Sequence, residues 1–131
     1  MASGAQKEKR LIRPHMQAAI DALSAGDRAA RSAAICREIV ASDVFRAARS
    51  VLAYVATPGE VDVSALLAAA LDTGKRVGVP RMDWEARTMW GVEVSAPEFA
   101  TEIRRHGVPE PLDGPPMAVE GIDLIIAPGV A

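Results

Sequence analysis

Two six-residue runs, 50–55 (SVLAYV) and 122–127 (IDLIIA), are apolar almost throughout and show no alternation. A strand with one wet face alternates apolar and polar side chains. A strand without alternation must be covered on both faces, as in a parallel sheet packed by helices. Between the runs lies RVGVP, 76–80, which reads as another short strand. Asp62 or Ser64 can cap a helix over about 63–71, and Gly74 is placed to stop it. Residues 50–80 therefore read as a β-α-β unit. A further strand is expected over 88–94 (TMWGVEV). The Pro- and Gly-rich stretch 97–121 reads as a loop with one helical turn near Phe99 to Arg104.

The first part of the chain reads as helix. Residues 7–23 place Leu11, His15 or Met16, Ala19 and Leu23 near one face. Ser24 followed by Asp27 has the form of a capping box opening a second helix over 27–40. There Ala29, Ala33, Cys36 and Val40 form a stripe, and Cys36 and His15 read as packing residues. The expected organisation is a single α/β domain over 1–131. Residues 1–48 supply amino-terminal helices and 49–131 a mainly parallel sheet with its crossover helix. Aromatic residues make up 4% and alanine occurs 25 times. The core is therefore built from Val, Leu, Ile and Ala, which suits helices on a sheet better than a small aromatic-rich barrel.

Several function classes drop out. The net charge is −2, without the basic excess that nucleic acid or an anionic membrane surface requires. No apolar stretch approaches the roughly 20 residues of a membrane span, and no signal peptide opens the chain, so a cytoplasmic protein is expected. The single cysteine excludes an internal disulfide and a multi-cysteine zinc site. Two histidines 91 positions apart make no metal cluster, and no metal site is expected in these residues. Walker A, GxGxxG, HExxH and GxSxG patterns are absent.

Sparser features carry the chemistry. Lys9 and Arg13, four apart with Arg10 between them, share a helix face and can hold two phosphates. The plainer reading is a solvated face. Glu60 in TPGEVD follows the first strand, where ligands bind in open α/β sheets. It can accept hydrogen bonds from a heterocycle, or simply precede the next helix as an acid at its positive end. Arg81 suits an anionic ligand or a protein carboxylate. Met89 and Trp90 can wall an apolar pocket or belong to the core. His106, in HGVPEP, can stack on a ring or stand exposed. Glu110 between prolines suits a structural hydrogen bond as well as catalysis.

In order and spacing, these pieces resemble the 5-formyltetrahydrofolate cyclo-ligase family. The matching elements are Lys9 and Arg13, VATPGEVD over 55–62, GKRVGVPR over 74–81, GVPEP over 107–111 and IDLIIAPGVA over 122–131. The resemblance implies an α/β sheet flanked by helices, of the kind shared with sugar-phosphate isomerases and CoA transferases. It implies ATP and magnesium as co-substrates and a reduced folate as substrate. By position, Lys9, Arg10 and Arg13 match nucleotide-binding residues. Glu60 matches the acid that binds the folate, with Val55 as an apolar contact beside it. Met89 falls near a pocket methionine, and His106 falls where some members place a tryptophan.

Members of that family continue past PGVA with a phenylalanine–aspartate pair and a glycine-rich segment ending in Gly-Tyr-Tyr-Asp. That segment cradles the nucleotide phosphates and carries a magnesium ligand. These residues lack it, so a chain truncated at its carboxyl side is expected, with an open sheet edge prone to self-association. The alternative is an inactive folate- or nucleotide-binding remnant or an interaction module. A sugar-phosphate isomerase rests on fold analogy alone.

Overall fold

In the computed structural model, residues 3–129 are described; Val130 and Ala131, the last two of the matched segment, lie outside them. Three helices come first: α1 (Gly4–Asp21), α2 (Ala25–Ala41) and α3 (Asp43–Ala47). After β1 (Ser50–Leu52) follow α4 (Ser64–Asp72), β2 (Arg76–Asp83) and β3 (Thr88–Val94). The chain goes on through β4 (Thr101–Ile103), β5 (Pro109–Pro111), β6 (Pro116–Met117), a 3-10 turn at Val119–Gly121 and β7 (Leu124–Ile125). None of the described helices is long and apolar enough to cross a membrane.

The strands form a five-stranded sheet in the order β6-β3-β2-β1-β7 and a separate β4–β5 pair. β1 runs parallel to β2 and β7, whereas β3 is antiparallel to β2 and β6. The sheet is thus α/β and flanked by helices, as expected, but mixed rather than mainly parallel. The reason is local: β2 and β3 are joined by only four residues, and so short a loop permits only an antiparallel hairpin.

Period-2 alternation sorts the sheet's two faces. Val51, Val77, Val79 and Val94 point to one side, where they pack with Cys36, Phe45, Leu66, Leu67 and Ala70 of the helices. Leu52, Gly78, Gly91 and Met117 lie on the other. A Cβ at Gly91 would sit 3.0 Å from the Met117 carbonyl oxygen and 3.2 Å from its Cβ. At Gly78 the nearest atom would be the Met117 sulfur, at 2.7 Å. Backbone cannot give way as a thioether can. Gly91→Ala is therefore expected to lower stability by about 1–3 kcal/mol, and Gly78→Ala by less, since Met is the most adaptable core side chain. Urea midpoints of the two variants check the order.

The caps are readable in the chain. Ser3 and Gln6 form a reciprocal capping box at α1. At α2 only half of the expected box exists: the Ser24 hydroxyl accepts from the Asp27 N–H. Gly74 stops α4 at φ +75°, with its N–H donating to Leu71 and that of Lys75 to Ala70. That is the left-handed stop for which glycine is the default.

Other expectations fail for reasons of context. α1 buries no residue; Leu11 is 72% exposed, and His15 is exposed rather than packed. On α2 the buried positions are Ser32 and Cys36, and Ala29 is exposed. The helical turn expected near Phe99 to Arg104 is strand β4 instead. Arg105 to Val108 close its hairpin, with the Val108 N–H donating to the Arg105 carbonyl at 3.1 Å. His106 and Gly107 both take positive φ, the signature of a type I′ turn. Leu112 donates to Ala100, two residues along from the Glu102–Glu110 pair. Pro109 and Pro111 thus fall at positions whose N–H groups the ladder does not need.

Candidate functional site

The predicted first strand extends to Val55, but pairing ends earlier. The Ala53 N–H still donates to Gly78 and the Ile126 N–H to Leu52. Beyond them the chain peels away into Thr57-Pro58-Gly59-Glu60. This is a type II turn: proline presets its second position, Gly59 supplies φ +90° at the third, and the Glu60 N–H closes on the Thr57 carbonyl at 3.1 Å. The turn also locks the acid. Glu60 Oε1 accepts from the Thr57 N–H at 2.7 Å and from the Thr57 hydroxyl at 2.6 Å. Among the described residues Oε2 has no protein donor and no buried polar side-chain atom goes unpartnered, so Oε2 meets solvent. Glu60 does not cap α4. Neither expected residue is the cap: Val63 holds that position without a side-chain bond, Ser64 is the first helical residue, and Asp62, just before the cap, accepts from the Ser64 N–H through Oδ1 at 2.9 Å.

The following residues are fixed from α2. Ser32 Oγ accepts the Asp62 N–H, and Cys36 Sγ donates to the Asp62 carbonyl at 3.4 Å. Burial, with the Asp62 charge as a lesser cause, pushes the Cys36 thiol above its ordinary value. A neutral buried thiol packs rather than reacts, as expected of Cys36. Tyr54 donates to the Val61 carbonyl at 2.8 Å. Burial, followed by the Glu60 carboxylate, raises its phenol, which stays a hydrogen-bond donor at neutral pH.

Glu60 lines a cavity of about 260 Å³ with Ile35, Ile39, Tyr54, Ile126 and Pro128. It opens at the carboxyl ends of β1 and β7, where the connection from β1 leads off to β2 on the other side. Open α/β sheets bind ligands in such crevices. Val55 lines a neighbouring cavity of about 280 Å³ with Phe99; Tyr54 stands between the two. The turn also touches α1, since Gln17 and Ile20 lie 3.8 Å from where a Gly59 Cβ would stand. Lys9 and Arg13 continue the Gln17 stripe towards the amino end, about 12 and 6 Å up the helix axis. Both are exposed, as is Arg10.

Met89 and His106 meet at a third place, a cavity of about 480 Å³ at the end of the β2–β3 hairpin. Its other walls include Met82, Trp84, Arg87 and Arg105. The His106 ring is 5.0 Å from that of Trp84, tilted by 59°. Sequence reasoning picked out Trp90, which lines an adjoining hollow, and passed over Trp84. The missed signal was an aromatic residue in the four-residue loop between two strands.

Two candidates turn out to be fasteners. Arg81 pairs with Glu102 at 2.9 Å and donates to the Pro111 carbonyl, so of its two readings the protein carboxylate holds. Glu110 is fully buried and accepts from the Met82 N–H at 2.7 Å and Trp84 Nε1 at 3.1 Å, with Arg104 at 3.5 Å. Together they clamp the β4–β5 hairpin onto β2. Among the described residues, no three His, Cys, Asp or Glu side chains gather as a metal site.

Comparison with known proteins adds a family to this geometry. Residues 5–131 match the model of the 5-formyltetrahydrofolate cyclo-ligase family. A probable 5-formyltetrahydrofolate cyclo-ligase of Caenorhabditis elegans is 23% identical over 98% of this chain and 66% of its own length. The NMR structure of 5,10-methenyltetrahydrofolate synthetase from Aquifex aeolicus superposes with a TM-score of 0.77 at 24% identity. That match covers 94% of this chain and 61% of the other, so the fold is shared and the chain spans less than two-thirds of either protein.

Proposed function

Because the chain belongs to the 5-formyltetrahydrofolate cyclo-ligase family, we propose that it binds 5-formyltetrahydrofolate and ATP and serves the ATP-dependent closure to 5,10-methenyltetrahydrofolate. In that reaction the formyl oxygen on N5 takes the terminal phosphoryl group of ATP, leaving ADP. The N10 nitrogen then attacks the activated carbon, and loss of phosphate completes the ring. The protein's contribution is positioning and electrostatic stabilisation.

The observation that carries the folate side is Glu60 at the β1–β7 crevice, one oxygen tied down by Thr57 and the other open. A carboxylate held this way accepts N–H groups from the amino and ring positions of a pteridine without first losing rotamer freedom. Val55, Met89 and His106 supply apolar and ring contacts. Lys9 and Arg13, with Arg10 beside them, offer guanidinium and ammonium groups to the nucleotide phosphates. Magnesium is commonly carried in by the nucleotide phosphates with one or two carboxylates and water, and the chemistry assigned to the chain is that of its own side chains.

Glu60→Gln tests the site. The amide oxygen still accepts from Thr57, so the thermal midpoint is expected to stay within a degree or so. Loss of a charged acceptor is worth about 1.5–3 kcal/mol, so binding of 5-formyltetrahydrofolate is expected to weaken about 10- to 100-fold. Unchanged affinity, read by titration calorimetry, removes Glu60 from the site. Binding without turnover is the second reading. Absorbance of the methenyl product after adding ATP and magnesium separates the two.

A further inference from the structure

The Thr57 hydroxyl has one partner. It donates to Glu60 Oε1 at 2.6 Å and makes no other hydrogen bond among the described residues. The turn does not need that bond. Pro58 and Gly59 set the turn type, and the Glu60 N–H closes it on the Thr57 carbonyl at 3.1 Å. Nor does the carboxylate need the hydroxyl to be anchored, since the Thr57 N–H already donates to the same oxygen at 2.7 Å. What the hydroxyl adds is a second donor on Oε1. A carboxylate oxygen has two lone pairs. With both donors in place Oε1 is filled, and Oε2, without a donor among the described residues, is left for anything that enters the crevice. Two bonds to one oxygen also fix the side chain's torsions where a single bond leaves a pivot.

An unrestrained carboxylate takes two parallel N–H donors as a fork, one on each oxygen. A carboxylate with one oxygen filled takes its donors on the other oxygen alone. Glu60 is of the second kind, half-buried and held with a single oxygen free. We infer that Thr57 is a positioning residue of this site: its hydroxyl fills Oε1, so the ring and amino N–H groups of the pteridine meet Oε2 and no fork forms. The inference rests on the folate reading above and deepens it. It names the atom of Glu60 that reads the substrate and the neighbouring residue that selects that atom.

Thr57→Val exchanges the hydroxyl for a methyl of the same shape and keeps the backbone N–H. Thr57→Ser keeps the hydroxyl. Two readouts are needed. Three-bond NMR couplings about χ1 of Glu60 are expected to show one rotamer in the parent and in Thr57→Ser, and averaged values in Thr57→Val. Titration calorimetry with 5-formyltetrahydrofolate is expected to show binding about 3- to 10-fold weaker in Thr57→Val, the cost of ordering one rotamer-rich side chain on binding. Thr57→Ser should restore the parent's affinity. Tighter binding by Thr57→Val means that the ligand uses both oxygens, and overturns the inference. Unchanged binding, or Glu60 couplings that stay as in the parent, also overturns it and leaves the folate reading standing. A weakening that Thr57→Ser fails to repair is a structural loss and counts against it as well. No binding by the parent, with Glu60 fixed there and released in Thr57→Val, removes the folate reading and leaves the hold of Thr57 on Oε1.

Discussion

Glu110→Ala is expected to destabilise the chain by about 3–5 kcal/mol, enough to unfold a large fraction of a marginal domain. The carboxylate is completely buried and meets three donors: the Met82 N–H, Trp84 Nε1 and Arg104. Its removal leaves two of them without an acceptor in a dry space and frees the β4–β5 hairpin from β2. Glu110→Gln is the informative companion. Its oxygen can keep the Met82 bond, but its amide N–H₂ then faces a donor, so a smaller loss of about 1–3 kcal/mol is expected. Urea unfolding followed by circular dichroism gives both values. An alanine variant as stable as the parent would mean that the clamp is not needed, and the hairpin-end cavity would lose its support.

Phe45→Ala should cost a similar amount, about 3–5 kcal/mol. The chain has only two phenylalanines, and this one is 2% exposed in the core among Val, Leu and Ala side chains. A core so poor in rings cannot refill the volume. The same ring carries Lys75 4.9 Å above its centroid, and Lys75 Nζ donates to the Ala48 carbonyl at 2.6 Å. The mutation therefore also loosens the end of α3. Phe45→Leu retains most of the volume and is expected to lose less than half as much. Thermal melts of the two variants decide; equal losses would point to the ring's contact with Lys75 rather than to the cavity.

Both predictions fall on features that the pattern of the chain announces at most in part: it allows Glu110 a structural hydrogen bond but names no partner. α3 is five residues long, too short for a helical period to emerge, and Phe45 is visible only as an apolar residue beyond Ser42 and Asp43. Glu110 sits between prolines and finds its donors 26 and 28 residues away. A partner at that distance leaves no trace in local spacing. Arg81 shows the same limit: sequence allows a ligand or a carboxylate, and Glu102 decides because a hairpin delivers it.

The candidate site was legible unevenly. The TPGE turn announces itself, since proline followed by glycine fixes a type II turn and so the direction of Glu60. The grouping of site residues was not legible. Val55 and Glu60 flank Tyr54 but line different cavities, Met89 and His106 share a third, and Lys9, Arg10 and Arg13 stand on the exposed α1. Trp84, Arg87 and Arg105 were missed because a loop residue gains meaning only when a second loop is brought beside it.

What the sequence determined by itself is local or cumulative. Caps at Ser24 and Gly74, the switch from helical to extended period near Ser50, and two unbroken apolar runs specify helices on a buried sheet. The order of short motifs specifies the family. The tertiary structure alone decided the mixed direction of the strands, the early end of β1 at Leu52, the burial of Glu110 and the exposure of α1. Each of these depends on which surfaces meet across tens of residues. Burial and long-range hydrogen bonds set that outcome, whereas propensity and periodicity act only over the few residues that a helical turn or a pleat can span.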